Sequence, residues 1–344
     1  MAPIATSTTT LTESAAPATA PAKLKLNVPT AESPEWLHQL RTQGFAVVKG
    51  VIPRERAEAY ADRMYQWVED FGLGFDRNEP STRTKDKIHF FYKGGLSNAY
   101  GIAHEQFMWD IKQEPAVVEK FEQIWDTKEL IVSFDGANIS IPLPDRKPDD
   151  DVFKAWAHVD QSPLVTGLYC VQGIVNLAPN GPEDGGLMLL KGSMELYAEL
   201  FAAFEDRKPE RGWNTRDRHD HTDEQIQWLV DRGCTWEKIC AEPGDLLLWD
   251  SRVVHYGATP TSTNDRLAVY CCYKPARFLT PEVEARRTEA WEKKLNSTHD
   301  PISFMKLPRK VPETHHTYKE SCERALQEPV LTPRGRQLVG LDKY

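Results

Sequence analysis

Trp156-Ala157-His158-Val159-Asp160 leads into a β-branched and aromatic run, Leu164 to Val171, and reads as a strand. Alternate side chains of a strand share a face, so His158 and Asp160 project an imidazole and a carboxylate side by side. One distant histidine, in Val253-Val254-His255, completes a 2-His-1-carboxylate set. Such a set leaves half of an octahedral ferrous ion open for an organic acid and dioxygen.

His-x-Asp alone carries little weight. With 10 histidines and 51 acidic residues among 344, chance supplies the pattern roughly once or twice. A second copy, His221-Thr222-Asp223, lies in a charged run and opens Thr222-Asp223-Glu224-Gln225, the form of a capping box. It reads as a solvated loop and helix cap, not as a metal site. His255, by contrast, follows a turn signal and an apolar strand, Glu242 to Asp250. Arg266 heads another strand, Leu267 to Tyr273. A lone arginine ordinarily ends in a surface ion pair. One entering an apolar strand needs a buried anion, and a ligand carboxylate held bidentately supplies it.

With these residues placed, the chain resembles the phytanoyl-CoA dioxygenase family of Fe(II)/2-oxoglutarate-dependent oxygenases. The likeness runs from Gly44-Phe45-Ala46-Val47-Val48-Lys49-Gly50-Val51-Ile52-Pro53 to about Tyr273 and includes Asp184-Gly185-Gly186-Leu187 through Gly192-Ser193. It implies that His158, Asp160 and His255 are iron ligands and that Arg266 holds the distal carboxylate of 2-oxoglutarate. Asn138 and Gln172, polar residues on apolar strands, are read either as hydrogen-bond partners of that cosubstrate or as core amides bonded to backbone. Two departures stand out. Met194 replaces the histidine of the family's Gly-Ser-His, and Gly257 stands where a hydroxyl residue is common.

The expected fold is mainly β with flanking α: a double-stranded β-helix, the cupin-like jelly roll, preceded by N-terminal helices. The resemblance implies an enzyme that uses Fe(II), 2-oxoglutarate and O2, with ascorbate in assays, to oxidise an unactivated C–H bond, releasing succinate and CO2. Asp160 as a third, anionic protein ligand leaves no site for halide and favours hydroxylation over halogenation. Two rivals are a catalytically silent jelly-roll binding protein, which Met194 and Gly257 favour, and a zinc hydrolase using the same triad, which Arg266 argues against.

A net charge of −9 argues against nucleic acid or an anionic membrane as partner. Arg83, Lys85, Lys87 and Lys93 form a local basic cluster, read as a solvated face or as a greeting for an anionic substrate. A free small organic molecule is the preferred substrate. The six cysteines lack metal spacing and read as reduced thiols. No signal pattern or long apolar run appears, so a soluble, cytoplasmic protein is expected, with the sequons at Asn138 and Asn296 unused.

Residues 1–30, rich in Ala, Thr, Ser and Pro, read as a disordered tail, 31–306 as one dioxygenase domain and 307–344 as a C-terminal extension. Helices are expected from Ser33-Pro34-Glu35 to Gly44, from Arg54 to Phe71 and from Glu114 to Trp125, and a strand over Leu130 to Ile141. No chemistry is legible after Lys306, and His315-His316 reads as a surface pair.

Overall fold

The computed structural model describes residues 28–144, 156–215 and 217–344, so the expected N-terminal tail lies almost wholly outside them. The strands gather into two antiparallel sheets. The larger takes β1 (Phe45–Val48), β2 (Leu96–Ser97), β3 (Leu130–Val132), β4 (Ala137–Ser140), β6 (Val171–Asn176), β10 (Leu246–Asp250) and β12 (Arg266–Pro275). The smaller takes β5 (His158–Val159), β7 (Gly186–Lys191), β8 (His219–Asp220), β9 (Thr235–Lys238) and β11 (His255–Ala258). Strand order is β1-β10-β6-β12-β4-β2, with β3 also on β12, against β8-β5-β11-β7-β9. Few sequence neighbours pair, which is the crossover pattern of a jelly roll.

The sheets face one another through Phe45, Ile174, Leu247, Trp249 and Ala268 of the larger and Leu187 and Leu189 of the smaller. The outer face of the larger sheet is covered by helices, and there the sequence pattern is read correctly. In the helix Arg54–Glu69 the residues Ala57, Tyr60, Ala61, Met64, Trp67 and Val68 are all buried, each large one contributing about 1.5–3 kcal/mol. The helix Glu35–Gln43 ends at Gly44, whose φ of 80° suits glycine. Its N-cap is Pro34, without a side-chain cap, rather than Ser33.

Three expectations are corrected. Leu164 to Cys170 is a turn and not strand: the Gln161 amide donates to the carbonyls of Val165 at 3.0 Å and Gly167 at 3.2 Å, satisfying groups a ladder would otherwise need. The run 130–141 is two strands broken at Ser133–Gly136, because a side chain at Gly136 would meet the Ser97 carbonyl oxygen at 2.2 Å. The loop around the second His-x-Asp is solvated only in part: Asn214, Thr215, Asp220 and Thr222 are exposed, while His219 and His221 turn inward. His219-Asp220 pairs with the His158 strand, and the His219 and His221 rings lie 4.9 and 5.9 Å from Phe201. The capping box of Thr222 and Gln225 is present as read.

The chain after Lys306 packs on the same core. Lys306–Leu307 is β14, paired with β13 (Asn296–Ser297), and Val311, Leu338 and Val339 are buried in the main cluster. Asn138 and Asn296 are each 1% exposed, which closes both sequons. All six cysteines are free. No helix among the described residues is long and apolar enough to cross a membrane.

Candidate active site

β5 lies between β11 and β8, and its register sets His255 directly across from His158. The two rings are 4.3 Å apart. Asp160 follows at once, its backbone N–H tied to the Ser251 carbonyl at 2.9 Å. His255 Nε2 lies 3.0 Å from Asp160 Oδ2 and His158 Nε2 3.5 Å from Oδ1. Ligand atoms of all three residues fall within 4.8 Å of one another, and all three are buried.

The donor chemistry fits a divalent metal. Each Nδ1 sits 2.9 Å from a backbone carbonyl, that of Trp156 for His158 and that of Val253 for His255. A carbonyl only accepts, so Nδ1 carries the proton and Nε2 keeps its lone pair for a metal. Burial, then the charge of His255, holds His158 well below its ordinary pKa. Burial alone would raise Asp160, but His255, His299 and His158 outweigh it and hold the carboxyl well below its ordinary value. Two imidazoles and one carboxylate suit ferrous iron. Trp156 stacks on His158 at 4.4 Å and 10°, fixing that ring from behind.

Arg266 opens β12 on the facing sheet, is 6% exposed and lines the same pocket. Among the described residues no carboxylate pairs with its guanidinium. A second cation stands near: burial and then Arg266 push Lys238 down to about 8, while its ammonium donates to Asn180 Oδ1 at 2.7 Å. The Arg266 guanidinium, without a carboxylate partner among the described residues, can accommodate an anionic ligand.

The cavity of about 320 Å³ joins the triad to Arg266, with Leu96, Ile174, Leu187, Met305 and Leu307 as apolar wall. Gln172 lines it and donates its amide to Asp160 Oδ2. Asn138 stands one layer behind, its amide donating to the Gly94 carbonyl at 2.7 Å and to the Tyr270 hydroxyl at 3.2 Å. Of the basic cluster, Arg83 is committed to Asp265, which also accepts from the Tyr65 hydroxyl at 2.6 Å.

Sequence reasoning missed the wall made by Asp135, Asp217, Thr298 and His299. His299 Nε2 lies 3.2 Å from the Asp160 carbonyl oxygen. Burial alone would lower His299, but Asp160 and Asp217 outweigh it and raise its pKa well above the ordinary value. The one available signal was the polar run Ser297-Thr298-His299-Asp300 after a charged helix.

Of the two departures, Met194 packs with Phe45 and Val253 between the sheets and does not line the pocket. Gly257 does line it, and a Cβ there meets nothing within 4 Å. Gly257→Ser is therefore expected to change folding stability by no more than the ~0.5 kcal/mol typical of a neutral substitution, and to leave 2-oxoglutarate affinity unchanged or tighter. A weaker affinity by titration calorimetry counts against this.

A jelly roll with a buried His-x-Asp pair, a cross-strand histidine and, in the same pocket, an arginine without a carboxylate partner among the described residues defines the class of non-haem iron, 2-oxoglutarate-dependent enzymes. The family comparison agrees. The family model for phytanoyl-CoA dioxygenase matches residues 40–268. Ava biosynthesis cluster protein O of Aspergillus versicolor is 39% identical over 300 residues, covering 85% of this chain and 95% of that protein. The chain belongs to the phytanoyl-CoA dioxygenase family. Among solved structures, HygX from Streptomyces hygroscopicus with nickel and 2-oxoglutarate bound is 16% identical with a TM-score of 0.47, covering 72% of this chain and 88% of that one. The epimerase SnoN, in complex with Fe3+, alpha ketoglutarate and nogalamycin RO, is 13% identical with a TM-score of 0.46, covering 70% and 83%.

Proposed function

We propose that this protein oxidises a C–H bond of a small organic molecule, with hydroxylation as the expected outcome, and that His158, Asp160 and His255 hold Fe(II) while Arg266 holds the distal carboxylate of 2-oxoglutarate. The observation that carries the reading is the pairing, in one cavity, of a triad whose two Nε2 atoms converge on the Asp160 carboxylate with a buried guanidinium that has no carboxylate partner among the described residues. Bound iron and 2-oxoglutarate would let O2 act as the oxidant, one oxygen atom entering succinate and the other the substrate, with CO2 released. The chain's own part is positioning. The carbonyls of Trp156 and Val253 fix the imidazole tautomers, Gln172 orients Asp160, and the apolar wall limits water around the reacting bond.

The relative in a biosynthesis cluster supports a small-molecule substrate. So does the commitment of Arg83 to Asp265, which takes a cation away from any docking of an acyl-CoA phosphate.

The test is succinate formation from 2-oxoglutarate with Fe(II), ascorbate and air. Slow turnover by the wild type without substrate, and none by His158→Ala or Arg266→Ala, is the expected result. Binding of Fe(II) and 2-oxoglutarate with no succinate in the presence of a broad substrate panel turns the reading toward a silent binding protein. Binding of neither ends it.

A further inference from the structure

One group on the pocket wall has no task in holding metal or cosubstrate. Asp135 sits in the break between β3 and β4, is 9% exposed and faces the cavity. Its Oδ1 accepts the Gly136 N–H at 2.7 Å. Its Oδ2 has no hydrogen-bond or ion-pair partner among the described residues. The buried Lys112 does not supply one, since its ammonium donates to the backbone carbonyls of Ser133 at 3.1 Å and Asp135 at 2.8 Å. The tight approach of Gly136 to Ser97 fixes the turn and so the carboxyl.

Burial raises this carboxyl to about 6 against the pull of Lys112, the Gly136 N–H and His299, which leaves it ionised at neutral pH. A buried carboxylate with an empty oxygen is costly until a donor arrives. Nearby, Asp217 adds a second buried carboxylate and accepts from the Thr298 hydroxyl at 2.7 Å. Two cations stand on this side: His299, whose Nδ1 lies 4.0 Å from Asp217, and Arg218, which lies 4.5 Å over the Trp156 ring and pairs with Asp220. This half of the cavity therefore offers acceptors beside the apolar Leu96, Met305 and Leu307.

We propose that Asp135 is the specificity anchor of the pocket, accepting a hydrogen bond from a basic nitrogen, an amine or guanidine, of an otherwise apolar small-molecule substrate. The inference rests on the proposed function only in treating the cavity as the substrate site and Arg266 as reserved for the cosubstrate. It sets this chain apart from a handler of anionic acyl thioesters.

The test is calorimetric titration of the full-length protein with tryptamine and with indole-3-propionate, two probes of similar size and opposite charge, each with and without Mn(II) plus 2-oxoglutarate. Wild type is expected to bind tryptamine at least about tenfold tighter than indole-3-propionate, and Asp135→Asn to lose about tenfold or more for tryptamine while indole-3-propionate changes little. Mn(II) and 2-oxoglutarate affinity of that variant should match wild type, which also reports its folding. If Asp135→Asn does not fold, Asp135→Ser takes its place, and the wild-type preference stands as a test by itself. Equal binding of the two probes, preference for the carboxylate, binding of neither, or an unchanged tryptamine affinity in a folded variant overturns the proposal. Loss of metal and cosubstrate binding in wild type with the tryptamine preference intact would instead sink the iron reading and leave Asp135 as the anchor.

Discussion

Arg266→Leu is expected to cut 2-oxoglutarate affinity by at least about thirtyfold, since truncating one partner of a buried charge pair costs about 2–5 kcal/mol, and to do so without lowering the melting temperature of the metal-free protein. The two halves of the result have one cause. Without ligand the guanidinium is 6% exposed and lacks a carboxylate among the described residues, so an apolar replacement removes a desolvation cost in the empty fold and an attraction in the loaded one. Fe(II) affinity should hold, because the triad does not touch Arg266. Titration of the visible band near roughly 500 nm, formed when a keto acid chelates ferrous iron, alongside thermal melts of the apo protein, measures both. Unchanged 2-oxoglutarate affinity would falsify the clamp.

Lys274→Met is expected to destabilise the protein by about 3–5 kcal/mol, because it leaves Asp300 buried without its cation. At this chain length that corresponds to about 4–8 °C in melting temperature. Lys274 and Asp300 form an ion pair with side chains 4% and 0% exposed. Asp300 Oδ1 also accepts the N–H groups of Ile302 at 2.7 Å and Ser303 at 2.8 Å, so the pair pins the segment carrying Thr298 and His299 onto β12. The double change Lys274→Met with Asp300→Leu should recover most of the loss, and failure to recover it argues that packing, not charge, is the cause. Asp300 is held below its ordinary pKa by Lys274 against its own burial. Its folded pKa lies below its unfolded one, so the contribution is present at neutral pH and is lost as pH falls below about 4.

The periodic parts of this fold were legible. The helix Arg54–Glu69 shows its buried stripe residue by residue, and the triad with Arg266 could be named from His-x-Asp, a strand-borne histidine and an arginine that needed an anion. Harder to read were groups whose partners come from far along the chain. Asp135 lay inside the run Leu130 to Ile141, read as one strand, because the break at Gly136 depends on Ser97, a contact across the sheet that no local pattern announces. His299 sat in a charged and proline-rich stretch, and it reaches Asp160 only because Lys274 and Asp300 draw that stretch inward. Asn138 was weighed as a core amide or a cosubstrate partner, and its placement behind Gly94 and Tyr270 turns on which of two layers the strand faces.

His158 and His255 belong to the smaller sheet and Arg266 to the larger. Metal and cosubstrate, joined to each other, would thus act as a rivet through both walls of the sandwich. Occupancy then becomes a mechanical quantity as well as a chemical one: the spacing of the walls sets how well the rivet seats, and the seated rivet resists their parting. Free-ligand concentration alone should tune the thermal resistance of the loaded protein, by RT ln(1 + [L]/Kd), and a substitution far from the pocket that shifts one wall against the other should register as a change in cosubstrate affinity.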